Sequence, residues 1–171
     1  MDSSDVIQLL ILIILLALSA FFSSSETALT TVNKIRVRTL AESGMEKAVV
    51  LSKVIEQQSK MLSAILIGNN IVNLSASSLL TTLTIKIFGN KAVGVATGVL
   101  TLLILVFGEI TPKTLSTISA ETMALRSAGI IYGLMWVLTP VIAVVNKLSL
   151  GVLMLLRVDP NKRQEMITDD E

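Results

Sequence analysis

Three stretches of this chain are apolar for long enough to cross a membrane, and each is interrupted by a polar cluster that lipid alone would not tolerate. The clusters are Phe21-Phe22-Ser23-Ser24-Ser25-Glu26, Gly68-Asn69-Asn70-Ile71-Val72-Asn73 and Phe107-Gly108-Glu109-Ile110-Thr111-Pro112-Lys113. Ionisable and amide groups in a span usually mark a substrate or ion path. An all-α membrane protein follows, because a backbone in lipid must satisfy its own hydrogen bonds and no alternating strand pattern offers a barrel.

The first span is expected over about 6–32, the second over 61–85 and the third over 92–108. The third ends at the Gly-Glu-Ile-Thr-Pro-Lys element, with Pro112 opening a new segment. Between the first two, 35–60 reads as amphipathic, basic juxtamembrane helices lying along the membrane surface, with Gly44 between two pieces. Six Lys/Arg lie in Lys34–Lys60 and none precede Val6. The positive-inside rule then puts the N-terminus outside and that loop in the cytoplasm of a multi-pass plasma-membrane protein. The apolar stretch Ala128–Val145 has basic residues on both flanks and Thr139-Pro140 at its centre. A re-entrant helical hairpin over about 128–156 reconciles these facts, and a kinked fourth span is the alternative. The N-terminus lacks a basic leader region and a clear cleavage site, so Val6 onward is read as a permanent span. The acidic end, Asp169-Asp170-Glu171, closes no element, so a soluble region is expected to follow.

Composition removes several chemistries. The chain has 171 residues, 52% of them hydrophobic, with a formal charge of +1 and no Cys or His. Disulfides, thiolate zinc sites, Ser–His dyads and His acid–base catalysis are absent. No Asp lies inside an apolar span, which removes an intramembrane aspartyl protease. The charge gives no hint of nucleic-acid binding, and no enzyme is expected. Hard, oxygen-ligated cations remain.

Counting 1.5 Å per residue brings all three clusters to the inner third of the membrane. Asn69 and Asn73 are i,i+4 neighbours, as are Asn73 and Ser77; Ser23 and Glu26 are i,i+3 neighbours. Ser75 joins them only if the helix is distorted there. Gly108 is expected to adopt a backbone conformation that turns its carbonyl inward. The candidate metal ligands are therefore Ser23, Glu26, Asn69, Asn73, Ser75, Ser77, Gly108 and Glu109, around one Mg2+ or Na+; spacing does not separate the two ions. Each residue also has a plainer role: serines bond back to carbonyls, amides join helices, and Glu109 pairs with Lys113 at the interface. Gly94-Val95-Ala96-Thr97-Gly98 and Gly129-Ile130-Ile131-Tyr132-Gly133 allow close helix contact, within the chain or between two copies.

Ser23-x-x-Glu26, Gly68-Asn69-x-x-x-Asn73 and Phe107-Gly108-Glu109-Ile110-x-Pro112-Lys113, in this order, resemble the membrane domain of the CorC/cyclin-M (CNNM) family. The linker Gly44-Met45-Glu46-Lys47-Ala48 is similar too. The resemblance implies Mg2+ efflux coupled to Na+ by a homodimer, and three spans followed by a belt of re-entrant helices. It implies a cytoplasmic region of paired CBS domains that bind ATP, with 158–171 as the start of its linker and 1–157 as the transport domain. It carries ion-site roles to Ser23, Asn69, Asn73 and Glu109. Two other classes stay open: a non-transporting membrane anchor or Mg2+ sensor, which needs only packed helices, and a lytic, haemolysin-like protein, which predicts unpaired amphipathic surface.

Overall fold

A computed structural model describes residues 3–156. Among them every regular element is helical. Helix α1 (Ser3–Thr31) leads to α2 (Lys34–Glu42), α3 (Glu46–Glu56) and α4 (Gln58–Phe88). A single 3-10 turn, Asn90–Ala92, precedes α5 (Val93–Leu103), a π-helical segment (Ile104–Ile110) and α6 (Thr111–Ile118). Helices α7 (Ala120–Val137) and α8 (Thr139–Leu155) complete the described residues.

Three continuous helical stretches are long and apolar enough to cross a membrane: Ser3–Thr31, Gln58–Phe88 and Asn90–Ile118. At 1.5 Å per residue each is about 45 Å long, more than the roughly 30 Å hydrocarbon layer requires. Local chemistry sets their limits. Asn33 caps α2, its Oδ1 accepting from the backbone N–H of Ile35 at 3.0 Å and Arg36 at 3.1 Å. Gly44 and Gly89 hold φ of 87° and 79°, values that β-carbons disfavour, and so turn the chain where the sequence places its breaks.

Two boundaries differ from expectation. The third span does not stop at Gly108-Glu109. It loosens into the π segment, where the Thr111 N–H reaches the Val106 carbonyl five residues back, and runs on through α6 with Pro112 near its start. A proline at 112 has no N–H to give the Gly108 carbonyl four residues earlier, and the wider register accommodates this without ending the helix. The bent helical pair also begins earlier than 128: α7 starts at Ala120 and meets α8 at a 68° bend. The bend falls at Leu138, just before Thr139-Pro140, and the Thr139 hydroxyl donates to the Met135 carbonyl at 2.8 Å.

The surface helices α2 and α3 also behave differently from their sequence pattern. Their apolar residues Val37, Ala48, Leu51 and Val54 are fully buried, against each other, the end of α1 and α7. These residues pack on protein, whereas Ile35 of α2 stays exposed. Arg36 adds an ion pair to Glu121 of α7. The shared core, including Leu29, Leu51, Met61, Ile65, Ala124 and Ile131, therefore sits at the basic end of the bundle. Toward the other end the helices bury less of themselves, and Ile7, Ile14, Leu74 and Leu102 face outward. In lipid such exposure carries no hydrophobic penalty.

Candidate cation site

Helix α1 is the spine of the bundle, packing against α4, the π segment, α6 and α7. One of its stripes, at spacings of three and four, reads Asp5, Gln8, Leu12, Leu16, Ser19, Ser23 and Glu26. Its ends are polar and its middle is two leucines. Ser19 and Ser23 are each only 1% exposed.

The Ser19 hydroxyl donates to Oδ1 of Asn69 on α4 at 3.3 Å. The same oxygen lies 3.0 Å from where a β-carbon on Gly108 would stand, and the Ser19 Cβ lies 3.4 Å away. Gly108 is thus present for close approach of the π segment to α1. Its backbone is helical; the positive-φ glycines are Gly44 and Gly89. Gly68 does the same on α4, where an added β-carbon would fall 2.8 Å from the Phe22 ring. Two glycines and one serine let three helical segments meet where two larger residues would hold them apart.

One turn along α4 from Asn69, the Asn73 Oδ1 is buried and accepts no hydrogen bond. Asn73 is the polar wall of a cavity of about 180 Å3, otherwise aliphatic, formed by residues such as Leu12, Leu16, Ala76, Leu100 and Ile104. A buried carbonyl-type oxygen without a donor is uncommon in folded proteins and calls for a donor or a cation. Beyond this cavity, at the far end of α1 and α4, the buried Asp5 carboxylate pairs with Lys86.

The carboxylates lie at the opposite, basic mouth. The Lys113 ammonium is 3.1 Å from Glu109 and 4.0 Å from Glu26, and all three side chains are about two-fifths exposed. Glu109 and Glu26 thus share one lysine at the edge of the polar cluster, and the three together keep one negative charge. Ser75 is not brought to it: it is exposed and faces a groove with Ile11, Leu15, Ser78 and Thr82. Ser77 follows Asn73 on its stripe, and its carbonyl accepts the Thr81 hydroxyl at 2.9 Å. Ser24 donates to the Phe21 carbonyl at 2.9 Å, as span serines commonly do.

Sequence reasoning passed over Ser19, which stood out only as a polar break in an apolar run. The usable signal was its spacing of four and seven from Ser23 and Glu26. Among the described residues no group of three or more acidic, His or Cys side chains is placed to hold a metal. Any ion here would rest on neutral oxygens, with carboxylates near the entrance.

Residues 10–171 match the family model for the cyclin M transmembrane N-terminal domain. A UPF0053 protein of Haemophilus influenzae is 38% identical over 100% of this chain and 41% of its own length. The UPF0053 inner membrane protein YfjD of Escherichia coli is 36% identical over 77% of this chain and 31% of its own. A more distant relative, the polyamine export protein of Salmonella typhimurium, is 26% identical over 96% of this chain and 39% of its own. The chain thus spans about two-fifths or less of the length of these relatives. The match over nearly the whole chain, with the three polar clusters inside it, makes this a multi-pass membrane protein of the cyclin M (CNNM) transmembrane-domain family.

Proposed function

We propose that this chain is the membrane unit of a Mg2+ exporter coupled to Na+, and that it binds a largely dehydrated Mg2+ between α1, α4 and the π segment. The observation that carries the reading is the meeting of Ser19, Asn69 and Gly108, with the orphaned Asn73 oxygen one turn away. Ser23, Asn69, Asn73 and the Gly108 carbonyl supply hard oxygens of the kind Mg2+ takes. Glu109 and Glu26 supply charge at the entrance, and Lys113 competes with the ion for them. Few formal charges suit a transported ion, since a site that binds too tightly does not release. By the positive-inside rule the Lys113 mouth faces the cytoplasm, the N-terminus lies outside and the hairpin dips into the inner leaflet. The outward-facing glycine pairs support a homodimer. A CBS-type cytoplasmic region would follow 158–171, which lie outside the described residues.

The name of the Salmonella relative supports a second cargo, a polyamine. An extended polycation needs several carboxylates in a row, and the described cluster has two, both at one mouth. Isothermal titration of Mg2+, Na+ and spermidine distinguishes these. The reading expects Mg2+ binding that Asn73→Leu removes and spermidine does not displace. Spermidine binding with no Mg2+ binding favours the second cargo, and binding of none of the three favours an anchor.

A further inference from the structure

Between α1 and α7, away from the Asn69 face, lies a pocket of about 290 Å3 lined by Phe21, Ser24, Ser25, Arg126, Ser127 and Ile130, with Met123. Both helices change character at this level. On α1 the apolar run ends at Phe22 and the serines begin; on α7 Arg126-Ser127 gives way to apolar sequence from Ala128. The pocket therefore lies where hydrocarbon meets headgroups at the basic end. We propose that it binds the phosphate of one anionic phospholipid, with the acyl chains passing over Phe21 and Ile130.

Two independent observations point to that ligand. The first is Ser25, which is 1% exposed and whose hydroxyl has no hydrogen-bond partner. The neighbouring hydroxyls are taken: Ser24 donates to Phe21 and Ser127 to Ala124. Ser25 thus holds the one unused hydroxyl in the pocket. The second is Arg126, exposed at the pocket rim and paired with no carboxylate among the described residues. The nearby charges are otherwise engaged, since Glu121 pairs with Arg36 and both Glu26 and Glu109 with Lys113. No carboxylate lines the pocket to repel an anion. A guanidinium beside a buried hydroxyl, above apolar walls, is the chemistry of a phosphodiester with a greasy tail.

Native mass spectrometry of the chain released from detergent tests this, with phosphatidylglycerol, phosphatidylcholine or inorganic phosphate added. One phosphatidylglycerol should bind about fivefold more tightly than phosphatidylcholine, the factor expected for one basic residue at a membrane surface. Arg126→Gln should abolish that preference, Arg126→Lys should keep much of it, and Ser25→Ala should weaken binding severalfold. Arg38→Gln, on another part of the basic surface, should change nothing. Equal binding of the two lipids overturns the proposal even if a variant fails to fold. So does a preference that survives both Arg126→Gln and Ser25→Ala, or displacement of the lipid by inorganic phosphate alone. Lipid retained by monomers and lost from dimers would show a second copy in the pocket, and this also overturns it.

Discussion

Ser19 shows how a residue gains its meaning from a partner far along the chain. It stands alone in apolar sequence, and its contact, Asn69, is fifty residues away. No local pattern reports that pairing. The inward placement of Asn69, Asn73 and Ser23 was legible because their spacing puts them on stripes of long helices. Ser75 was not resolved by spacing, and the structure turns it to a different groove. Gly108 was singled out for its carbonyl, and the structure adds a different property, the close approach to Ser19 that its missing β-carbon allows. That difference is testable. Gly108→Ala puts a methyl 3.0 Å from the Ser19 hydroxyl and should push Ser19 off Asn69. Overpacking of this kind costs about 1–3 kcal/mol, and Mg2+ affinity should fall about tenfold. Gly151→Ala, where a β-carbon meets nothing within 4 Å and which lies outside both glycine pairs, should leave both unchanged. Melting curves and titration calorimetry read the two effects. Equal behaviour of the two variants would contradict a close approach at Gly108. Lys113→Met tests the entrance: freeing Glu26 and Glu109 from their shared cation should raise Mg2+ affinity, and a loss of affinity would show that Lys113 is needed for the site and does not compete with the ion.

At the scale of elements, the helices and their turns were readable from apolar periodicity, Asn33, Gly44 and Gly89. The π segment was not, because a one-residue change of register leaves no trace in composition; Gly108 and Pro112 only mark where the ladder is weak. The amphipathic α2 and α3 were legible as juxtamembrane helices, but not which stripe meets protein, since a lipid-facing and a protein-facing stripe look alike in sequence. The structure buries Val37, Leu51 and Val54 and leaves Ile35 exposed. At the opposite end, Asp5 and Lys86 join α1 to α4 beyond the aliphatic cavity. This pair is expected to hold the outer side closed. Lys86→Met should lower stability by about 1–3 kcal/mol, less than breaking a fully buried pair, because Lys86 is half exposed. It should also raise the reactivity of a cysteine placed at Ala76, and the charge exchange Asp5→Lys with Lys86→Asp should recover part of both. No change in labelling would mean that the pair is not an outer latch.

Across the whole molecule, α1 organises the bundle and α8 barely joins it, with Ile142 as its one buried residue among those described. The 68° bend makes α7 and α8 either a broken crossing or a re-entrant hairpin. Cysteines introduced at Ser119 and Leu156 should both label from the cytoplasmic side with an impermeant reagent; labelling from opposite sides would establish a crossing. Among the described residues the glycines at 94, 98, 129 and 133 have no neighbour within 4 Å of an added β-carbon, so a contact with a second copy is open to them. The central claim concerns movement of an ion, and flux tests it most directly. In proteoliposomes containing this chain, a Na+ gradient should drive Mg2+ movement reported by an entrapped indicator. Asn73→Leu should abolish it, Gly108→Ala should slow it severalfold, and Gly151→Ala should leave it unchanged. Folded protein that moves no more Mg2+ than empty vesicles, or a flux indifferent to the two site variants, would contradict the account.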